Sequence, residues 1–144
     1  MMLQLLTAFT GSLGFSYLFH LRRRFLLPAS LGGALTCAVY LAAANALEGD
    51  LLPNLIASAF AALYAELLAW LLRAPTTLFL TIALAVPLIP GRTLYYAMHY
   101  AVQRDMVQAQ SFAGQTARYA LGIALGTSLV WAFANMRRSL RHRK

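Results

Sequence analysis

Five apolar stretches alternate with short polar interruptions along the chain: Leu3 to Phe19, Phe25 to Leu47, Leu51 to Leu72, one beginning at Thr76, and Thr116 to Ala134. A helix needs about 20 largely apolar residues to cross a hydrocarbon core about 30 Å thick. The interruptions are of the kind that stop such helices. They are His20 with the Arg22, Arg23, Arg24 triplet, then Glu48-Gly49-Asp50, then Arg73 with Ala74-Pro75. The pattern predicts an all-α integral membrane helical bundle of five transmembrane helices, a single domain over residues 1–144 with a basic tail at 135–144.

The fourth stretch departs from this pattern. Thr76 to Val86 is eleven residues, which at about 1.5 Å per residue reaches only about half way across the core. Pro87 and Pro90 then each remove a backbone donor, and Gly91 admits conformations that other residues resist. The spacing therefore predicts a discontinuous fourth helix that stops near mid-membrane. Unpaired backbone at that depth is tolerated where protein buries it or where it lines a watery cavity.

Helical spacing resumes in "RTLYYAMHYAVQR", where Arg92, Tyr96, His99 and Gln103 share one face and Leu94, Ala97, Met98 and Ala101 the other. The free amide end of a half-helix favours anions, and transporters place such ends at substrate carboxylates. Arg92 beside Gly91 makes a carboxylate the expected ligand. A plain kink or an outer loop is the competing account, since proline is common in membrane helices.

Charge decides the orientation. Twelve Lys and Arg stand against four Asp and Glu, a formal net charge of +8, in a chain only 11% charged. Placing the arginine triplet in the cytoplasm puts nine of the twelve basic residues there, counting Arg73 and the tail from Arg137 to Lys144. Basic residues concentrate in short cytoplasmic loops, so an N-out, C-in topology is expected. Anionic membrane lipids are the natural partner of such loops, and nothing offers the polar reading face that a nucleic-acid binder needs.

Glu66 lies in "AFAALYAELLAWLLR", seven residues before Arg73, so helical rise puts it about 10 Å inside that boundary. Intramembrane acids are either functional or held in structural pairs. Glu66 is thus a candidate proton carrier or a partner for Arg92, on a face shared with Ser58, Ala62 and Ala69. In the last span Gly114, Arg118, Gly122 and Gly126 fall at steps of four. The Gly122-xxx-Gly126 pair predicts close helix packing, and Arg118 reads as an interfacial anchor or a vestibule cation. Gly32, Gly33 and the lone Cys37 mark another packing face. No metal-ligand spacing, cofactor signature, phosphate loop or catalytic triad is present, so no enzyme and no cofactor are expected.

The apolar half-helix, "VPLIPG", the tyrosine-bearing segment and the glycine-spaced last span together resemble the threonine/serine exporter family, in its small ThrE-like, YjjB-type membrane subunit. The matching P-x-x-P-G falls on Pro87, Pro90 and Gly91, with Tyr95 or Tyr96 as the following aromatic. The specific part covers residues 74 to 126, joined by the aromatic and basic junction from Phe15 to Arg24. Arg104-Asp105 stands where the family pattern leads one to expect Gly-Asp. The resemblance implies a subunit of the bacterial inner membrane. It would pair with a larger partner carrying a cytosolic domain and export small amino acids or, in some members, dicarboxylates such as succinate. Three other readings remain: a dicarboxylate exporter subunit, a self-sufficient homo-oligomeric transporter, and a non-transporting membrane assembly protein.

Overall fold

A computed structural model describes residues 2–85 and 88–142. Six helices follow in order: α1 (Met2–Leu18), α2 (Arg23–Ala46), α3 (Leu51–Leu72), α4 (Thr76–Ala85), α5 (Gly91–Val102) and α6 (Met106–His142). No strand occurs among the described residues. Three helices, α2, α3 and α6, are long and apolar enough to cross a membrane. Large side chains such as Leu27, Leu63, Trp70 and Phe133 point outward from them. In water such a surface would be a liability, whereas hydrocarbon is indifferent to it.

The connections fix the directions. α1, α3 and α6 run one way and α2 and α4 the other, so Arg22 to Arg24, Arg73 and the end of α6 share one end of the bundle. Glu48 and Asp50 in the α2–α3 loop occupy the opposite end. That division is the one the loop charges predict. Left-handed residues close two of the turns at the basic end, His20 at φ 52° and Arg73 at φ 49°.

Small residues bring the long helices together. At Gly122 an added Cβ would lie 2.7 Å from the Leu51 carbonyl oxygen and 3.0 Å from Asn54 Cβ, and at Gly126 it would run into Ser58 Oγ and the Leu55 carbonyl. Ser58 Oγ donates to the Gly122 carbonyl at 3.3 Å. Backbone contact this close is available only to glycine, which explains the spacing. On the other side of the bundle Gly33 sits against Ser12 of α1, and Gly32 against the Tyr64 ring. The Tyr64 hydroxyl donates to the Pro28 carbonyl at 2.8 Å.

The apolar core lies in the basic half. Leu21, Phe25 and Ala29 meet Ala62 and Ala65 of α3 and Phe79, Leu80 and Ile82 of α4. Phe25 and Phe79 pack edge to face, 5.7 Å between centroids at 90°. The ten residues of α4 cover about 15 Å, so this helix fills only that half.

The expected break is present. α4 ends at Ala85 and α5 begins at Gly91 with Pro90 as its cap residue at φ −78°, ψ 52°. Val86 and Pro87 lie outside the described residues. Its position differs from expectation, however. Among the described residues α5 packs on α6 and on no other helix, and Thr116 Oγ1 donates to Thr93 Oγ1 at 2.9 Å. Thr116 precedes Gly122, which touches Leu51 at the start of α3. Six residues of helical rise, about 9 Å, separate the two, so the first turn of α5 is level with the α2–α3 loop, just beyond the start of α3, and the rest of α5 runs farther away from it. The last helix also starts earlier than Thr116. Asp105 caps it, accepting from the Gln108 amide at 3.2 Å, and nothing between Met106 and Thr116 is strong enough to break it. Residues 91–116 thus form a helical hairpin whose turn passes through Arg104 at φ 62°. That left-handed angle is one glycine adopts most readily.

Candidate functional site: a groove, a break and a polar end

An open groove of about 1060 Å³ runs between α3, the start of α4 and α6, lined by Leu63, Glu66, Leu67 and Trp70 on one wall and Leu129 and Phe133 on the other. Glu66 is half-buried there. Helical rise along α3 places it about 22 Å from Leu51. Arg92 belongs to α5, beyond that end, so Glu66 and Arg92 are at opposite ends and do not pair.

The residues around the break are brought together only in part. Pro87 lies outside the described residues. Gly91 is exposed, and a Cβ there would meet nothing within 4 Å, so no close approach demands glycine. Arg92 is exposed, its guanidinium carbon 5.7 Å from the Tyr96 ring centroid. The Pro90 carbonyl accepts from the Leu94 amide and from Thr93 Oγ1, both at 3.1 Å. Tyr95 is exposed and stacks along the helix on His99, centroids 6.0 Å apart. His99 Nε2 lies 3.0 Å from Gln103 Nε2, which donates to it in the matching tautomer.

Tyr96 does not follow the polar stripe. It turns to α6, 5.4 Å from the Phe112 ring, and Tyr100 stacks on the same ring at 5.6 Å and 5°. The helical wheel groups Tyr96 with Arg92 and His99, but only the neighbouring helix decides which polar aromatic is used for packing. Thr93 and Ala97 are the buried residues of α5.

In the sequence Asp50 reads as a span stop, and the structure gives it more. Arg118 of α6 pairs with it at 3.3 Å, so this arginine is more than a headgroup anchor. The available signal was an acid in the α2–α3 loop opposite a basic residue one turn before the glycine pair. That is legible only once α3 and α6 are known to lie side by side.

A membrane bundle with an interrupted helix and an acid in an apolar groove has the architecture of a transport protein's membrane part. The family described as "Threonine/Serine exporter, ThrE" matches residues 4–133, and the chain belongs to it. It is a membrane protein of the exporter type. No curated protein and no solved structure matches the chain.

Proposed function

We propose that the chain is the membrane subunit of a proton-coupled secondary exporter of small carboxylate-bearing solutes such as threonine and serine, working in the bacterial inner membrane with a larger partner subunit. The observation that carries this reading is the half-buried Glu66 on the wall of the groove between α3 and α6. Protonation there switches a charge on and off in apolar surroundings. That shifts the balance between two packings of the facing helices by their different tolerance for it. Among the described residues α3 is the helix that packs on α6 in this region, and the open side of the groove is one that a partner's helix would close. Arg92, the amide end of α5 and the side chains of Tyr95 and His99 supply the carboxylate-binding end, Tyr96 backs Arg92 with its ring, and Pro90 and Gly91 open α5 apart from α4.

Efflux of labelled threonine, serine and succinate from vesicles, with and without the partner subunit, tests the reading. Glu66→Gln is expected to abolish proton-driven flux while sparing exchange. Arg92→Ala should lower flux roughly tenfold or more, the value of one lost charge-assisted hydrogen bond. Full activity in both variants would reject the mechanism and leave a membrane assembly protein. Transport by the chain alone would favour a self-sufficient homo-oligomer, and succinate outcompeting threonine a dicarboxylate exporter.

A further inference from the structure

Outside the groove and the break, polar side chains from three elements converge at the α2–α3 loop. Arg118 donates to Asp50 Oδ2 through Nε at 3.4 Å and Nη2 at 3.3 Å. Gln115 Nε2 at 3.4 Å and the Tyr119 hydroxyl at 3.3 Å both donate to Asp50 Oδ1. Gln115 Nε2 also reaches the Tyr119 hydroxyl at 3.1 Å, and Tyr40 of α2 stands against that same hydroxyl. Elsewhere Ser16, Ser30, Thr81 and Thr127 each donate to a carbonyl four residues back in their own helix, and the side-chain bonds that cross between helices, from Ser58, Tyr64 and Thr116, stand singly.

Stability does not account for this convergence. The Arg118 side chain is 54% exposed and that of Asp50 28%, and ion pairs so open contribute about 0–1 kcal/mol. The contacts to Asp50, at 3.3 to 3.4 Å, are also longer than the roughly 2.7–2.9 Å of tight charge-assisted bonds. These groups are gathered without being locked, and the pair opens at little cost.

The geometry points to a second solute site here, for an α-amino acid zwitterion, in which Asp50 takes the ammonium and Arg118 the carboxylate while Gln115 and Tyr119 meet a β-hydroxyl. An ammonium and a carboxylate on one carbon can replace each protein group's present partner, so opening the pair leaves no charge uncompensated. A dicarboxylate brings two anions, one of which Asp50 repels. Asp50 is then the residue that sets amino acid against dicarboxylate. A hydroxyl-binding pair also rejects solutes lacking that hydroxyl, because its polar groups would be left unpaired.

This site rests on the transporter reading, and flux in vesicles carrying the full chain and its partner separates the two. Asp50→Asn is expected to lower threonine flux about tenfold or more and to move the threonine-to-succinate ratio toward succinate. Arg118→Gln should lower both fluxes. An unchanged ratio in Asp50→Asn vesicles, where the unsubstituted protein carries threonine, overturns the site and leaves the transporter reading standing. Unsubstituted protein that passes none of threonine, serine or succinate overturns both. Should Asp50→Asn fail to reconstitute, Gln115→Ala keeps the ion pair and decides the matter. Its preference for threonine over 2-aminobutyrate is expected to fall, and an unaltered preference overturns the site.

Discussion

Helix α6 meets two different neighbours along its length. Around Gly122 and Gly126 it lies directly on the backbone of α3, whereas from Met106 to Thr116 it carries α5. Both halves show small or glycine residues at steps of four, yet a Cβ on Gly114 would meet only Arg118 Nη1 at 3.7 Å, while on Gly122 it would meet the Leu51 carbonyl at 2.7 Å. The first contact is ordinary and the second is forbidden. Spacing alone permits close approach, and a neighbour of the right shape turns it into a requirement. The α3 seam is held by backbone proximity, and the α5 hairpin by aromatic rings around Phe112 and one threonine pair.

Three substitutions break or sharpen that contrast. The largest effect belongs to Gly126→Leu, whose side chain would meet Ser58 and the backbone of Leu55 and Ala59. Because backbone cannot give way as a side-chain tip can, the cost should exceed the about 3 kcal/mol at the upper end of ordinary overpacking. Thermal melting in detergent should show a lost or sharply lowered transition, and an unaltered melt would mean that α3 and α6 do not pack this way. Phe112→Ala comes next. Removing the ring that Tyr96 and Tyr100 share should loosen the hairpin by roughly 1–3 kcal/mol for two aromatic contacts. Hydrogen exchange should then quicken in residues 91–105 while α3 stays protected, and uniform quickening would show that the two regions are one cooperative unit. The smallest change is Gly91→Ala. With open space at that position, lowering the entropy of the unfolded chain should stabilise α5 by up to about 1 kcal/mol. A lowered melting temperature would mean that residue 91 touches something there.

Much of the architecture was legible without coordinates. Pro90, Gly91 and the shortness of the stretch after Thr76 announce the broken helix, because a missing donor and a short span are local facts. Gly122 and Gly126 announce a packing face for the same reason. The depth of the break was not legible. It depends on where α5 rests, and α5 rests on residues of α6 that the span count left outside the membrane helix. Tyr96 was misplaced with the polar stripe because a helical wheel ranks side chains by angle, and Phe112 lies 16 residues further along the chain. Asp50 was passed over because its partners, Gln115, Arg118 and Tyr119, are more than 60 residues away.

Hydrophobic runs, their stops and the asymmetry of the arginines determined by themselves that this is a helical membrane protein with one interrupted helix and a basic end. These follow from the energetics of short segments in lipid, where each backbone group must be satisfied within its own helix. Only the tertiary structure decided that Glu66 faces a groove, that Arg92 is far from it, and that Asp50 is gathered with side chains of α6. Those pairings arise from which glycine faces meet, and a face carries no mark of its partner until two helices have packed.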